Sequence, residues 1–191
     1  MNNKTFQEIK KRSLILMQKS CDPQHCEAHL VKVENNAKKI VKILKMEKDI
    51  DLNLLGAACY LHDLAFTKYK PGFINYFREG KRVKKIVTKF LMDFKIPDGE
   101  KKIIINAVWK HTLNFPLRRL NKNEGDYAKI LQDADILDML SPERLLLLAG
   151  SAKKFFYYKA LKIFSRRASF WTIRHIGLFL NYPELAKESW T

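Results

Sequence analysis

Apolar residues recur along this chain every three to four residues, as in amphipathic α-helices, and the two-residue alternation of strands is scarce. Residues 4–20 show the pattern clearly, with Phe6, Ile9 and Met17 among the apolar positions. The same spacing predicts further helices at about 22–46, 52–66, 75–94, 98–112, 126–140, 141–164 and 169–180. The pattern therefore predicts an all-α fold.

Capping and loop residues mark several boundaries of these predicted helices. Asp22 followed by Pro23 is typical of a helix start, and Asp51 is a second N-cap candidate. Proline and glycine mark loops at 67–73 (TKYKPGF) and at 114–126 (NFPLRRLNKNEGD). Because no internal repeat or low-complexity segment interrupts the chain, we expect a single domain.

The composition is compatible with one globular domain of 191 residues, of which 47% are apolar and 29% charged. No run approaches about 18 uncharged apolar residues, so no membrane span is expected. The early apolar segment LILM is too short for a signal peptide. Cys21, Cys26 and Cys59 lack zinc-ribbon spacing and are expected to be reduced thiols of a cytoplasmic protein.

The formal net charge of +16 favours a polyanionic partner such as nucleic acid, nucleotides or an anionic membrane surface. The lysines are spread along the whole chain, however, and a lysine-biased genome would give the same excess, so nucleic acid is not favoured. Residues 152–171 mix basic and aromatic side chains. We interpret this segment as a core-facing aromatic stripe, with base stacking and membrane contact as alternatives.

The most informative stretch is CYLHDLAF, residues 59–66, where His62 and Asp63 interrupt a run with no other charged residue from Leu54 onward. A helix that is apolar on every side is buried, and a buried carboxylate needs a partner. One interpretation is a structural hydrogen bond between this pair and a neighbouring helix. The other is a bound cation.

Two more groups favour the cation. His25 and His29 are four residues apart and share a helix face. Three acids, at positions 133, 135 and 138, lie within six residues of an otherwise apolar predicted helix, where they repel one another unless positive charge lies nearby. Imidazole and carboxylate together are suitable ligands for a divalent transition metal. The residues alone therefore predict a metal site that includes His62 and Asp63.

The order His29, His62-Asp63, Asp135 resembles the H…HD…D signature of the HD-domain metal-dependent phosphohydrolase superfamily. The local sequences are also similar to that family, and the resemblance spans roughly residues 20–140. The similar local sequences are HLVKV at 29–33, YLHDLA at 60–65, INAVWKHT at 105–112 and DADILDML at 133–140.

The resemblance implies a compact HD-domain-like helical bundle with additional C-terminal helices. Taken with the helix pattern, it predicts an N-terminal helix at 1–20, a metal-binding core at 21–140 and, beyond the resemblance, helices at 141–191 that pack on the core within one domain. The metal ligands it implies are His29, His62, Asp63 and Asp135, with Asp133 as the alternative to Asp135. The cofactor would be one divalent ion, with Mn, Fe, Co, Ni, Zn and Mg all open.

Further roles follow from the same resemblance. Asp63, Lys32 and His111 are expected to be catalytic, with Lys32 where many members have arginine. Residues expected to bind the substrate are His25, Lys32, His111, Lys68 and Arg118, with Lys70 and Arg119 as further loop candidates. Members with two metals usually carry another histidine in the helix after the HD doublet. Here that helix has none, so a single metal is expected unless a water or Glu79 replaces that ligand.

The expected function is hydrolysis of a phosphate ester or phosphoanhydride of a small molecule, a nucleotide included, by a metal-activated water. The alternative is a nucleotide- or nucleic-acid-binding module with this fold and little turnover. A di-iron oxygenase would need more histidines near the site. His175 is expected to be structural, and a homodimer is left open.

Overall fold

A buried central helix organises the fold. The computed structural model describes residues 1–112, 125–151, 158–159 and 176–188, and within these ranges it contains helices and no strand. The helices are α1 (Asn3–Met17), α2 (Glu27–Ile43), α3 (Leu52–Leu61), α4 (Phe73–Phe90), α5 (Asp98–Lys110), α6 (Asp126–Met139) and α7 (Pro142–Ser151). Short 3₁₀ helices follow α3 (Leu64–Thr67) and α4 (Leu91–Asp93), and two more lie near the C-terminus (Ile176–Phe179 and Pro183–Lys187). The predicted all-α class is confirmed.

Helix α3 occupies the centre because its sequence offers no polar face. Every residue from Leu54 to Leu61 is buried, and α1, α2 and α5 pack around the helix. The Asp51 carboxylate caps its first turn by accepting hydrogen bonds from the backbone N–H groups of Asn53 and Leu54, as predicted. Helix α6 packs against α2 and α5, so the elements that carry the candidate residues meet at one place.

Two helix boundaries differ from those predicted. The prediction that a helix starts at Asp22 is wrong, because α2 begins at Glu27 and residues 22–26 form turns. The Asp22 carboxylate instead accepts hydrogen bonds from the backbone N–H of Gln24 and from the Tyr158 hydroxyl. Helix α3 ends at Leu61 rather than at residue 66.

The segment 176–188 packs on α6. Leu180 and Leu185 are buried in the core, and Asp133 accepts hydrogen bonds from the backbone N–H groups of Asn181 and Tyr182. Most of the predicted continuation of α7 to residue 164, and most of the helix predicted at 169–180, lie outside the described residues, as does His175. The last part of that prediction is wrong, because Ile176–Phe179 is a 3₁₀ turn and Leu180 is not helical. None of the described helices is long and apolar enough to cross a membrane.

Candidate metal centre

Four helices bring the candidate ligands to one buried place. His29 lies in the first turns of α2, His62 caps the C-terminus of α3, Asp63 follows it, and Asp135 lies in the middle of α6. His111 caps the C-terminus of α5. Because α3 ends immediately before the doublet, the His62 and Asp63 side chains emerge at the end of the buried helix rather than from its side.

The potential ligand atoms converge within a few ångströms. His29 Nε2 lies 3.2 Å from His62 Nε2, 3.0 Å from Asp63 Oδ2 and 3.3 Å from Asp135 Oδ1. His62 Nε2 lies 3.3 Å from Asp63 Oδ2 and 3.9 Å from Asp135 Oδ1. These separations suit atoms that surround one cation, since ligands placed about 2.1 Å from a metal lie roughly 3 Å or more apart.

The outer ring nitrogens orient both histidines for this role. His29 Nδ1 donates to the Asp138 carboxylate at 2.7 Å, and His62 Nδ1 donates to the Cys59 carbonyl at 2.7 Å. Carbonyl and carboxylate oxygens only accept, so in the neutral rings the proton lies on Nδ1 and the Nε2 lone pair faces the centre. An N–H held by such a partner is the usual arrangement of metal-binding histidines.

The charges of the centre compensate one another. Burial raises the pKa of Asp63, but the nearby charges of His62 and His25 outweigh it and hold that pKa well below its usual range. Burial likewise raises the pKa of Asp135, and the nearby His29 imidazole, with Nε2 3.3 Å from Asp135 Oδ1, more than reverses this effect. Both carboxylates are therefore ionised at neutral pH, the state in which they bind a cation.

A divalent metal fits this set of residues. Asp63 Oδ2 is buried and makes no hydrogen bond with any described residue, although two imidazole nitrogens lie within 3.3 Å. Such an oxygen is expensive to bury unless a cation completes its surroundings. Imidazole and carboxylate donors suit zinc, manganese, iron, cobalt and nickel.

His111 and Glu79 lie beside this cluster. The His111 ring packs edge-on against His62 with centroids 4.9 Å apart, and His62, Asp63 and His111 could hold an ion between them. His111 Nδ1 donates to the Val108 carbonyl at 2.6 Å, and Nε2 lies 3.7 Å from the buried Glu79 carboxylate. Although burial opposes it, Glu79 raises the pKa of His111 to about 9.

His25 also faces the centre. Its Nε2 lies 4.0 Å from Asp63 Oδ2, its Nδ1 donates to Asp22 at 2.6 Å, and its ring stacks on Phe66 with centroids 3.9 Å apart. The Tyr158 hydroxyl donates to the same Asp22 carboxylate, so the acid that orients the His25 ring is itself held in place. Asp22 is thus a functional candidate that sequence reasoning assigned to helix capping.

The two acids of α6 that were alternatives for the last ligand lie in different surroundings. Asp135 faces His29 and His62, whereas Asp133 accepts hydrogen bonds from Asn181 N at 2.8 Å and Tyr182 N at 3.0 Å. Asp133 therefore anchors the segment 176–188.

Among the predicted substrate-binding cations, the three lysines that the structure describes are not gathered around the centre. The Lys32 ammonium pairs with Glu143 at 2.8 Å on the exterior, and Lys68 and Lys70 are exposed beyond the 3₁₀ turn that follows α3. Arg118 and Arg119 lie outside the described residues.

Asp138 and Arg144 lie next to the centre, and neither was among the predicted ligand, catalytic or substrate-binding residues. Asp138 lies between His29 and Arg144, with Arg144 Nε 3.1 Å from Asp138 Oδ2. The only sequence signal was the position of Asp138 three residues after Asp135 in an apolar helix.

Comparison with known proteins agrees with this geometry. A protein-family model described as "HD domain" matches residues 27–140, which is more than half of the chain. The matched range holds the four ligand candidates and His111, and it confirms the resemblance drawn from the sequence. No curated protein and no solved structure matched the chain.

Proposed function

The chain belongs to the HD domain family, which is generally one of metal-dependent hydrolases, and on that premise we propose that it hydrolyses a phosphate ester or phosphoanhydride of a small molecule. A nucleotide is one such substrate. In this proposal His29, His62, Asp63 and Asp135 hold one divalent metal, and His25 and His111 contact the phosphate.

One observation carries the proposal. Asp63 Oδ2 is a buried carboxylate oxygen without a hydrogen bond among the described residues, and two imidazole nitrogens that can donate lone pairs lie within 3.3 Å. A purely structural His-Asp pair would place an N–H on this oxygen. In their neutral form, which metal binding requires, both rings direct their N–H groups away, to Asp138 and Cys59, and leave the Nε2 lone pairs beside Asp63 Oδ2.

The reaction adds water to phosphorus and breaks the bond to the leaving oxygen, which takes a proton. A divalent metal supplies a Lewis acid that lowers the pKa of water and neutralises phosphoryl charge. Asp63 accepts the proton of the attacking water, since its carboxylate is ionised and lies at the centre. His25 Nε2 and His111 Nε2 donate hydrogen bonds to phosphoryl oxygens, and Lys32 joins them when its pair with Glu143 opens.

The first test is elemental analysis of purified wild type and of the double variant His62→Ala/Asp63→Ala. We expect about one transition metal per wild-type chain and none in the folded variant. About two per chain would assign His111 and Glu79 to a second ion. Wild type that stays metal-free after incubation with manganese, iron, cobalt, nickel or zinc would contradict the proposal.

Activity is tested next, with the metal found by that analysis. A panel of phosphomonoesters, nucleotides and pyrophosphate compounds, read by release of inorganic phosphate, gives the substrate class. The variant Asp63→Asn should remove turnover, whereas Asp49→Asn, an exposed acid in the loop before α3, should leave it unchanged. Equal activity in both variants would exclude Asp63 from the reaction.

A polyanion-binding role is the second candidate, and the exposed side of α4 favours it. Lys81, Lys84, Lys85 and Lys89 line one surface depression there, and the only acid of α4, Glu79, is buried. Such a surface would bind nucleic acid with a steep dependence on salt. Retention on heparin that changes little between low and high salt would argue against this role.

A further inference from the structure

Arg144 is a buried cation attached to the candidate metal centre. It lies in the first turn of α7 and is 7% exposed. Its Nε lies 3.1 Å from Asp138 Oδ2, and the same oxygen accepts the hydrogen bond of His29 Nδ1 at 2.7 Å. Arg144 is therefore separated from a candidate metal ligand by a single shared carboxylate.

The guanidinium group has unused hydrogen-bond donors. Its Nε and Nη1 are buried and have no hydrogen-bond partner among the described residues, so the contact with Asp138 is a charge contact only. Arginine stays protonated and presents five N–H donors in a planar fork. A buried charge whose donors lack acceptors is unfavourable, and an anion that fills the fork would remove that cost.

The charge of Arg144 reaches the imidazoles of the centre. Burial and then the Arg144 charge both lower the pKa of His29, although contacts with nearby carboxylates raise it well above its usual value overall. Burial lowers the pKa of His25, Asp63 and Asp22 raise it above its usual value, and the Arg144 charge lowers it by a smaller amount.

In the structure Arg144 contacts the carboxylate that holds His29, whereas Lys32 is paired with Glu143 on the exterior. Glu143 holds the Lys32 ammonium at 2.8 Å on the exposed side, with the Glu143 side chain 72% exposed. Arg144, the next residue, turns inward to Asp138. The first turn of α7 thus holds Lys32 on the exterior through Glu143 and places the Arg144 guanidinium against buried Asp138.

We propose that Arg144 binds a phosphate oxygen of the substrate through the unpartnered donors of its guanidinium, with Asp138 orienting it. This rests on the proposed function, since it names the residue that recognises the phosphate of the same substrate. The ligand class is a phosphate-bearing anion, because the planar fork of arginine matches two oxygens of one phosphate.

Inorganic phosphate is the probe, and calorimetric titration of the full-length protein as purified is the readout. Metal content is measured for every sample, and chloride controls match the ionic strength. We expect Arg144→Gln to weaken phosphate binding by about tenfold or more, as expected for loss of a hydrogen bond between charged groups. Arg144→Lys should weaken it less, since it keeps the charge and loses the fork.

Arg12→Gln is the matched control because it removes one positive charge at an exposed site, where Arg12 pairs with Asp93. It should bind phosphate as wild type does. If Arg144→Gln does not fold, Arg144→Lys carries the test, and a dissociation constant within about twofold of wild type then overturns the proposal. Wild type that shows no phosphate binding overturns it as well.

The outcome separates this inference from the proposed function. Phosphate binding that depends on Arg144, in a protein that hydrolyses nothing in the substrate panel, supports the anion site and refutes the hydrolase. Hydrolysis with phosphate binding that is unaffected in both Arg144 variants refutes the anion site alone.

Discussion

The pair Asp133 and Asp135 offers a sharp test, because two acids two residues apart on α6 have different tasks in the structure. Asp133 accepts hydrogen bonds from Asn181 N and Asn181 Nδ2, both at 2.8 Å, and from Tyr182 N at 3.0 Å. Asp135 lies 3.3 Å from His29 Nε2. We expect Asp133→Ala to destabilise the fold and retain metal, and Asp135→Asn to lose metal.

The magnitude follows from the hydrogen bonds removed. A hydrogen bond to a charged group contributes roughly 1.5–3 kcal/mol, and water replaces part of the loss because Asn181 and Tyr182 are only half-buried. We therefore expect Asp133→Ala to lower the free energy of unfolding by about 2–4 kcal/mol. For a chain of this size that lowers Tm by roughly 5–15 °C.

For Asp135→Asn the loss should appear in metal affinity. Changing a residue that only supports a ligand costs about 10–100-fold, so replacing a ligand should weaken binding by more than ~100-fold. The assay combines urea unfolding of chelator-treated protein with metal titration of each folded variant. The assignment of the last ligand to Asp135 fails if folded Asp133→Ala loses its metal while Asp135→Asn keeps wild-type affinity.

Three further results are expected. Treating the protein with a chelator should lower Tm, and returning the metal should restore it. The reason is that a ligand present at 100 times its Kd stabilises the folded protein by about 2.7 kcal/mol. An unchanged Tm would contradict a metal in the folded core. Protonated His111 beside Glu79 has a pKa of about 9 in the fold, above its usual value near 6.5. Its contribution to the free energy of unfolding of the metal-free protein is therefore complete below about pH 6.5, and up to about 3 kcal/mol is lost as pH rises through 9. Urea midpoints across pH 6–10 should show this decline in wild type and a flatter curve in Glu79→Gln. Gly80→Ala should lower the free energy of unfolding by about 1–3 kcal/mol, because the added Cβ would lie 2.8 Å from the Trp109 carbonyl oxygen. Gly99→Ala is the control, since the space around Gly99 is open. Equal Tm values for the two variants would refute the packing argument.

The sequence was sufficient for those features that depend on local pattern. The periodic apolar residues placed the ends of α1 to α6 to within a few residues, except at the start of α2 and the end of α3, and they placed the start of α7 within one residue. The predicted end of α7, at residue 164, lies outside the described residues. The uninterrupted apolar run before His62 required α3 to be central, since no side of it could face water. The motif order also identified the family, which the family model confirms.

The local pattern gave a wrong helix start at Asp22, whose carboxylate has a partner far along the chain. Asp22 next to Pro23 looks like a helix cap, yet its carboxylate is used by His25 and by Tyr158, which lies 136 residues further along the chain. A capping signal describes only neighbours in sequence, so it could not include that competing partner.

What the sequence by itself determined is an all-α chain with a buried His-Asp doublet and a short list of acids and histidines suited to a cation. Only the tertiary structure decided which acid meets the histidines, because Asp133 and Asp135 have the same local surroundings and differ only in the side of α6 from which they project. It also revealed Arg144, since an arginine in the first turn of a helix is ordinarily exposed and becomes significant only when packing buries it against Asp138.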